Sequence, residues 1–363
     1  MASSRCLDVV IVGLGLVGRA LVGLLQHVAD QRKAERGVHL RIVGLADRGG
    51  LLHADTGVPA ATIEEALAVK LGGDSISVLH SAVLSGASFA ELASPSTVFV
   101  DATAEQEMAR TWCDVLDAGA GIVLANKLPL CELWNQSRQL YNHPHVRYEA
   151  TVGAGLPVLS TLRNLLATGD CVEHIEGVLS GTLGYLTGRL SEGVHFSEAL
   201  AEAVNLGYAE PDPSEDLSGR DVARKAVILS RSAGWPVEQD DVALDGLISD
   251  DQITEMAKGA DASTFDTELT SRFDKASCVG EAIRYLAQVS SAGIRVGMTS
   301  VPQSSAFTSL AGPENRVAFH TSRYVANPVG VTGPGAGPDV TAAGILGDLI
   351  DLAEKTLRSG ENS

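Results

Sequence analysis

The sequence of 363 residues predicts an α/β protein, in which a doubly wound parallel sheet is followed by a second domain of mixed α+β structure. Short, nearly uncharged β-branched runs alternate with helical patterns over the first 150 residues, as expected of parallel strands buried on both faces. A glycine-rich turn directly follows the first run, and the regular alternation ends beyond residue 150. We therefore expect one domain at 1–150, completed by a C-terminal helix within 335–363, and another at 151–334.

Each predicted element follows from the spacing of its apolar residues. In the first domain, strands are predicted at 7–13, 40–46, 97–102 and 121–126, and helices at 16–29, 63–68 and 105–118. In the second, helices are predicted at 157–167, 182–190, 197–205 and 218–233, and strands at 172–180, 293–301, 316–321 and 329–332. Ser218 is expected to cap the helix at 218–233. Residues 234–275 are expected to form surface helices and loops, and a final helix at 341–357 to return to the first domain.

The composition excludes several classes of protein. A formal net charge of −18 disfavours nucleic-acid binding, because an acidic surface repels phosphate backbones. The apolar runs are shorter than the roughly 20 residues that a transmembrane helix needs, and the N-terminus lacks the form of a cleaved signal peptide. The five cysteines are scattered without a CxxC pair, which favours reduced thiols in a cytoplasmic protein over disulfides or a zinc site.

The glycine-rich turn has the spacing of a dinucleotide-binding loop, Gly13-x-Gly15-x-x-Gly18, between a predicted strand and a predicted helix. In such a Rossmann-type loop the first glycine permits the tight turn and the second lets the backbone approach the pyrophosphate. The third allows the helix to pack closely on the strand. Leu16 and Val17 open the helix, whose N-terminus attracts the phosphate charge, and are expected beside the cofactor.

The end of the second predicted strand bears on the choice of cofactor. Asp47 stands where an acidic residue accepts hydrogen bonds from the adenosine ribose, which favours NAD. Arg48 follows it and is suited to the 2′-phosphate of NADP. The sequence therefore leaves the preference between NAD and NADP open.

An acid-rich stretch, GYAEPDPSEDLSGRDVARKA at 207–226, leads into a predicted helix on which Asp221 and Lys225 lie one turn apart. One interpretation is a solvated loop with a surface ion pair, which contributes little. The other is a site in which carboxylates hold an ammonium group while the lysine exchanges a proton with an alkoxide oxygen. A nicotinamide cofactor requires such a proton donor beside the hydride it transfers.

Two further motifs follow strands of the first domain. Lys127 comes directly after the strand at 121–126, at the sheet edge where ligands bind in open α/β folds. Glu149 precedes a glycine-rich turn at 153–155, whose carbonyls together with the carboxylate suit a hard cation. The alternatives are a solvent-exposed lysine, and a plain turn before a helix that begins near Pro157.

Together these motifs resemble those of homoserine dehydrogenases over nearly the full chain. The matching stretches are GLGLVG at 13–18, ANKLP at 125–129, YEATVGAGLP at 148–157, SGT at 180–182, GYAEPDPSEDLSGRDVARK at 207–225, LAGPEN at 310–315 and GPGAGPDVTAAGILGDLI at 333–350. The resemblance implies NAD(P)-dependent interconversion of L-homoserine and L-aspartate 4-semialdehyde, on the route to threonine and methionine. It also implies a homodimer, with cofactor binding at 1–150 and substrate binding and dimerisation at 151–334.

The resemblance also implies roles for individual residues. Lys225 matches a proton donor helped by an aspartate at Asp221, and Lys127 matches a lysine that touches both cofactor and substrate. Glu210 matches the glutamate that holds the homoserine ammonium group. The other assignments are Tyr208, Thr182 and Asp216 in the substrate pocket, Thr103, Gly207 and Gly337 beside the cofactor, and Glu149 with the carbonyls of Val152, Ala154 and Leu156 around a monovalent cation, usually sodium.

The chain departs from the family pattern after the third predicted strand. Many members have Asn-Thr-Ser there, whereas this sequence reads Ala102-Thr103-Ala104, so the contacts of the asparagine and the serine are not expected. No regulatory segment follows the last predicted helix, so feedback by threonine through an appended domain is not expected either.

Two other functions stay open at this point. Another Rossmann-type amino-acid dehydrogenase would also use a nicotinamide, but it would form an imine and consume ammonia. A non-catalytic dinucleotide-binding sensor would bind the cofactor without turnover. Lys127, Asp221 and Lys225 argue against the sensor, which has no need of a proton relay.

Overall fold

The computed structural model describes residues 5–36, 38–79, 83–84, 89–210, 212–310 and 312–359. The chain divides into two compact units. Unit 1 comprises 1–155 together with 337–363, and unit 2 comprises 156–336. The sequence-based boundaries stand at 150 and 335.

Unit 1 contains a seven-stranded sheet flanked by helices. Its strands are β1 (Arg5–Val12), β2 (Val38–Asp47), β3 (Gly50–His53), β4 (Val83–Leu84), β5 (Thr97–Asp101), β6 (Gly121–Leu124) and β7 (Val146–Arg147). Its helices are α1 (Leu16–Arg36), α2 (Ala60–Leu71), α3 (Ala109–Asp117), α4 (Leu128–Cys131), α5 (Trp134–Asn142) and α13 (Pro338–Ser359). The strand order is β4-β3-β2-β1-β5-β6-β7. The five strands from β2 to β7 in this order are parallel, whereas β3 and β4 extend the β2 edge in antiparallel fashion.

Helices cover both faces of this sheet, which confirms the doubly wound prediction. On one face, Leu21 of α1 and Ile345 of α13 share an apolar core with Ile11 of β1. On the other face, Trp112 of α3 lies against Phe99 of β5, with ring centroids 6.2 Å apart. Helix α13 follows unit 2 in the chain and packs within unit 1.

Unit 2 is a mixed α+β structure, as predicted. Its strands are β8 (Val172–Val178), β9 (Ala243–Leu244), β10 (Glu281–Ser290), β11 (Gly293–Pro302), β12 (Glu314–Thr321) and β13 (Val329–Pro334). Its helices are α6 (Val158–Ala167), α7 (Gly181–Ser191), α8 (Phe196–Asn205), α9 (Ser214–Leu217), α10 (Arg220–Ser232), α11 (Asp250–Ala257) and α12 (Asp266–Cys278). The sheet has the order β13-β12-β8-β10-β11-β9, so β8 stands between strands that come much later in the chain.

Strand β10 was not predicted, and the burial of helix α12 was not expected. Strand β10 is almost wholly buried, and Arg284 interrupts its apolar pattern because the guanidinium donates to the Phe307 carbonyl inside the unit. Helix α12 begins within 234–275, the stretch expected to form surface helices and loops, yet Leu269 and Phe273 are buried in unit 2. Local periodicity does not reveal either feature. In β10 a polar side chain is buried, and in α12 two isolated apolar residues are buried, and both result from tertiary packing.

The predicted cap of α10 is wrong by one residue. Gly219 stands at the N-cap with φ of 73°, a left-handed conformation that suits glycine, and the helix begins at Arg220. Ser218 lies just outside, where its hydroxyl oxygen accepts the Arg220 N–H at 3.3 Å. None of the helices in the described part of the chain combines the length and apolar composition that a bilayer crossing needs.

Candidate active site

The loop between β1 and α1 has the geometry of a phosphate-binding turn. Gly13 has φ of 99°, and a Cβ there would lie 2.7 Å from the Ala102 carbonyl. A Cβ on Gly18 would overlap the Gly13 carbonyl oxygen, so the helix packs on the turn without space for a side chain. Gly15 has no atom within 4 Å of its Cβ position and is exposed together with Leu16. The loop therefore leaves its backbone open to a ligand at the N-terminus of α1.

Asp47, at the end of β2, is engaged by protein groups instead of standing open to a ribose. Its Oδ1 accepts from Gly49 N at 2.8 Å and from the Ser75 hydroxyl at 3.0 Å. Its Oδ2 accepts from Lys70 Nζ at 2.9 Å and from Ile76 N at 3.0 Å. Burial by itself raises the pKa of this carboxyl, but the four hydrogen bonds outweigh burial and hold the pKa below its ordinary value.

Arg48, next to Asp47, has a very different environment. Its side chain is 88% exposed, and its Nε donates to Glu105 Oε1 at 2.6 Å. Two exposed groups in such a pair exchange readily with other partners. The guanidinium is therefore accessible to an anion at this edge of unit 1.

The ends of β5 and β6 are joined by a buried polar network. Asp101 accepts from the Thr103 hydroxyl at 2.7 Å, from Trp112 Nε1 at 2.9 Å and from Asn126 Nδ2 at 3.2 Å. Asn126 also donates to the Glu105 carbonyl at 2.9 Å. Burial raises the pKa of Asp101, although these hydrogen bonds act in the opposite direction. The sequence did not reveal this network, which fixes the loop after each strand.

Lys127 stands directly after this network. Asn126 Oδ1 accepts the Leu128 N–H at 3.1 Å, and this hydrogen bond fixes the start of α4 directly after Lys127. Lys127 is half-buried at the N-cap of that helix. It therefore lies at the carboxyl edge of the parallel strands in unit 1, where the sequence predicted it.

Glu149 and the turn that follows form a buried segment in unit 1. Gly153 and Ala154 have φ of 82° and 56°, and a left-handed alanine costs free energy that its surroundings must supply. Glu149 is 7% exposed, and its backbone N–H donates to Asp348 Oδ2 of α13 at 2.8 Å. No motif in the sequence indicates that Asp348 holds this turn. Val152 is also buried.

Three further residues were predicted to contact the cofactor or the cation. Leu156 opens unit 2, and its carbonyl accepts the Val158 N–H at 2.8 Å. Gly337 is exposed with φ of 124°, and its carbonyl accepts the Thr341 hydroxyl at 2.7 Å in the first turn of α13. Gly207 ends α8 with φ of 72°. The conformations of both glycines require the absence of a side chain.

In unit 2, the predicted proton donor is a buried lysine. Lys225 Nζ lies 2.8 Å from Asp221 Oδ2 and donates to the Leu179 carbonyl at 2.6 Å. The lysine side chain is 11% exposed and the aspartate side chain 27%. The same Leu179 carbonyl accepts from Asn315 Nδ2 at 3.3 Å, and Asn315 is 1% exposed. The interpretation of this pair as a solvated surface contact is therefore wrong.

The acidic loop brings its predicted substrate residues beside this pair. Thr182 Oγ1 lies 2.6 Å from the Tyr208 carbonyl and 3.1 Å from Asp216 Oδ2. Burial raises the pKa of Asp216, and the negative charges of Asp221 and Glu210 raise it further, whereas Thr182 and Lys225 act to lower it. Residues distant in the sequence therefore form one electrostatic cluster in unit 2.

The two remaining acids of the loop have structural partners. Asp212 accepts from the backbone N–H and hydroxyl of Ser214 at the start of α9. Glu215 pairs with Arg224 at 2.6 Å. Neither residue was predicted to take part in the site.

Comparison with known proteins gives a consistent result along the chain. The family model described as homoserine dehydrogenase matches residues 157–350, and the one described as its NAD binding domain matches 13–149. A bifunctional aspartokinase/homoserine dehydrogenase of Zea mays is 36% identical over 97% of this chain and 39% of its own length. The chain thus spans about two fifths of that relative.

Two further relatives match over nearly their whole length. A homoserine dehydrogenase of Emericella nidulans is 34% identical over 95% of this chain and 98% of its own. The structure of a hyperthermophilic archaeal homoserine dehydrogenase mutant in complex with NADPH is 26% identical, with a TM-score of 0.72, over 96% of this chain and 98% of that one.

Proposed function

The chain belongs to the homoserine dehydrogenase family, and on that premise we propose that it interconverts L-homoserine and L-aspartate 4-semialdehyde. In one direction the alcohol loses a hydride to NAD(P)⁺ and a proton to the protein. In the other the aldehyde regains both. The observation that carries this proposal is the buried Lys225–Asp221 pair within the acidic cluster of unit 2.

Lys225 moves the proton at the reacting oxygen. An ammonium group has three donors, and two of them serve the Leu179 carbonyl and Asp221 Oδ2. The third is left for a substrate oxygen, since no further partner of Nζ occurs among the described residues. In aldehyde reduction Lys225 donates a proton to the forming alkoxide, and in alcohol oxidation the neutral amine accepts it. Asp221 holds the amine in position and stabilises its charged form.

Carboxylates of the acidic loop hold the other end of the substrate. Glu210 is exposed near the beginning of this loop and binds the homoserine ammonium group. Tyr208, Thr182 and Asp216 form the pocket wall, where the hydroxyl of Thr182 links the other two. Lys127 of unit 1 contacts cofactor and substrate, as the family resemblance implies.

The cofactor binds unit 1, with its pyrophosphate at the turn formed by Gly13, Gly15 and Gly18. When bound, the nicotinamide supplies or accepts the hydride. Leu16, Val17, Thr103, Gly207 and Gly337 complete the proposed contacts. We propose a preference for NADP over NAD, because Asp47 already accepts four hydrogen bonds and the exposed Arg48 suits a phosphate. NADPH is also the cofactor in the archaeal structure cited above.

A monovalent cation, best represented by sodium, suits the turn after Glu149. The donor set would be the Glu149 carboxylate with the carbonyls of Val152, Ala154 and Leu156, all hard oxygen ligands. Left-handed Gly153 and Ala154 support this proposal, since they turn successive carbonyls out of a regular backbone pattern. The cation would brace the backbone of this turn.

We further propose a cytoplasmic homodimer that acts on the route to threonine and methionine. Exposed apolar side chains on unit 2 support the homodimer: Tyr324 is 46% exposed and Val325 78%. None of the five cysteines, all of which lie in the described part of the chain, forms a disulfide, and this suits a reducing compartment. Light scattering of the purified chain tests the dimer, and a monomer at micromolar concentration would exclude it.

Initial rates with L-homoserine and each cofactor in turn test the proposed reaction. We expect ammonia-independent reduction of NADP⁺ and formation of an aldehyde. A requirement for ammonia in the reverse direction would instead indicate an amino-acid dehydrogenase that forms an imine. Cofactor binding without turnover of either substrate would indicate a sensor.

A further inference from the structure

Two histidines and a glutamate meet on the sheet of unit 2. His174 and His320 lie directly opposite each other on β8 and β12, and their rings stack with centroids 4.0 Å apart. Glu176 is two residues after His174 and therefore on the same face of β8. Its Oε2 lies 3.4 Å from His320 Nε2. One ligand atom from each of the three residues lies within 4.8 Å of the other two.

We propose that His174, Glu176 and His320 form a binding site for a divalent transition metal ion, best represented by Zn²⁺. Two imidazoles with one carboxylate are a donor set that zinc prefers, and a water molecule would complete four-coordination. Ligand atoms around tetrahedral zinc are about 3.4 Å apart, given bonds of about 2.0–2.2 Å. Here Glu176 Oε2 and His320 Nε2 are 3.4 Å apart, and the ligand atoms of all three residues lie within 4.8 Å of one another. Rotations of the side chains would therefore bring the three atoms to distances that suit zinc.

The environment of the three side chains supports a site prepared for a metal. Gln288 Nε2 of β10 donates to Glu176 Oε1 at 3.1 Å, which orients the carboxylate in the way that outer partners orient metal ligands. The His174 ring forms no hydrogen bond with any residue that the structure describes. The stacking of two imidazoles contributes little stabilisation, whereas a shared metal ion would bind a nitrogen of each ring.

An ion can reach these residues from solvent. His320 and Glu176 have side chains that are 27% and 24% exposed. A cavity of about 440 Å³ in unit 2 is lined by His174, Glu176 and Gln288, and it extends along β10 and β11 to Arg295. A metal ion would thus bind at one end of an open groove and join β8 to β12 through side chains.

This site is independent of the proposed reaction. The proton-transfer pair lies on α10, and its chemistry involves none of the three residues. The cation proposed near Glu149 has only oxygen ligands, whereas imidazole nitrogens select transition metals. If zinc did not bind, the proposed dehydrogenase activity would be unaffected. If the chain lacked that activity, the proposed metal site would likewise be unaffected.

Metal titration of the whole chain tests the proposal. Chelator-treated protein is titrated with CoCl₂, followed by visible absorption, and then with ZnCl₂, followed by calorimetry. We expect one Zn²⁺ per chain and, for Co²⁺, the strong visible bands of a low-coordinate site. His174→Asn and His320→Asn should each weaken binding by at least about tenfold, and Gln288→Leu by about 10- to 100-fold.

Matched variants separate this site from other ligands. His195→Asn removes an exposed histidine of unit 2, and Cys171→Ser removes an exposed thiol beside β8. Both should bind zinc like the unchanged protein. In chelator, the thermal midpoints of all variants should agree, since none of the substituted side chains is fully buried. Added zinc should raise the midpoint only of proteins in which the site is intact. Zinc affinity in His174→Asn and His320→Asn equal to that of the unchanged protein, or loss of binding in Cys171→Ser alone, would overturn the proposal.

Discussion

Lys225 Nζ lies 2.8 Å from Asp221 Oδ2, with the lysine side chain almost fully buried. The Leu179 carbonyl, 2.6 Å from the same nitrogen, satisfies a second donor. Removing one partner of a buried pair costs about 3–5 kcal/mol, because the other charge stays buried without compensation. Because the desolvation of two buried charges offsets most of their mutual attraction, a function at Nζ explains this pair better than stability alone.

Glu210 gives a prediction about substrate affinity. Glu210→Gln removes the negative charge that holds the substrate ammonium, and a hydrogen bond to a charged group contributes about 1.5–3 kcal/mol. We expect KM for L-homoserine to rise by about tenfold or more while KM for NADP⁺ stays near its original value. Asp212→Asn is the control, since among the described residues that exposed carboxylate accepts only from Ser214. Equal increases in both variants would show a general effect of loop charge.

Arg48 gives a prediction about cofactor choice. Arg48→Ala should lower kcat/KM for NADP⁺ by about 10- to 100-fold, because a charge-assisted contact with the 2′-phosphate is lost. The value for NAD⁺ should hardly change, since NAD⁺ lacks that phosphate. Glu105→Ala serves as the control, because it removes the present partner of Arg48 and leaves the guanidinium in place. A parallel loss with both cofactors in Arg48→Ala would contradict the preference for NADP.

Asp47 gives a prediction about stability and pH. Its pKa in the folded chain is lowered, so the stabilisation is present above the unfolded pKa of about 4 and is lost as the pH falls through the folded value. Asp47→Asn should therefore lower the free energy of unfolding by about 1–3 kcal/mol at pH 7. The difference should narrow below about pH 4. Denaturant titrations across this range measure it.

Asp55, whose Oδ1 lies 3.7 Å from His53 Nε2, is an exposed carboxylate that provides the comparison for Asp47. The side chain of Asp55 is 95% exposed, so Asp55→Asn should leave the unfolding free energy within about 0.5 kcal/mol at each pH. A constant deficit of Asp47→Asn down to pH 3 would mean that shape, and not charge, explains the loss.

Much of unit 1 could be predicted from the sequence, because its strands are buried on both faces and read as unbroken apolar runs. The glycine spacing at 13–18 identifies its turn equally well, since Gly13 and Gly18 exclude a side chain for a local steric reason. The antiparallel strands β3 and β4 escaped prediction. They have four and two residues, too few to show any period.

The candidate site shows where sequence reasoning ends. The spacing of Asp221 and Lys225 predicts that they meet, but only the fold shows that Leu179 and Asn315 enclose them. Asp47 occupies the position expected for a ribose ligand, and nothing in its own stretch of sequence shows that Ser75 and Ile76 reach its carboxylate. Burial and long-range partners depend on tertiary packing, which local patterns do not encode.

Reduction of L-aspartate 4-semialdehyde by Lys225→Ala tests the central claim most directly. NADPH binding, followed by fluorescence, and circular dichroism must first show that the variant folds and binds the cofactor. Lys258→Ala, which removes an exposed lysine after α11, is the matched control and should keep full activity. We predict that kcat of Lys225→Ala falls by about 10²- to 10⁴-fold, the usual contribution of general acid catalysis. A decrease of only a few-fold, with cofactor binding intact, would contradict the account and make Lys127 the candidate proton donor.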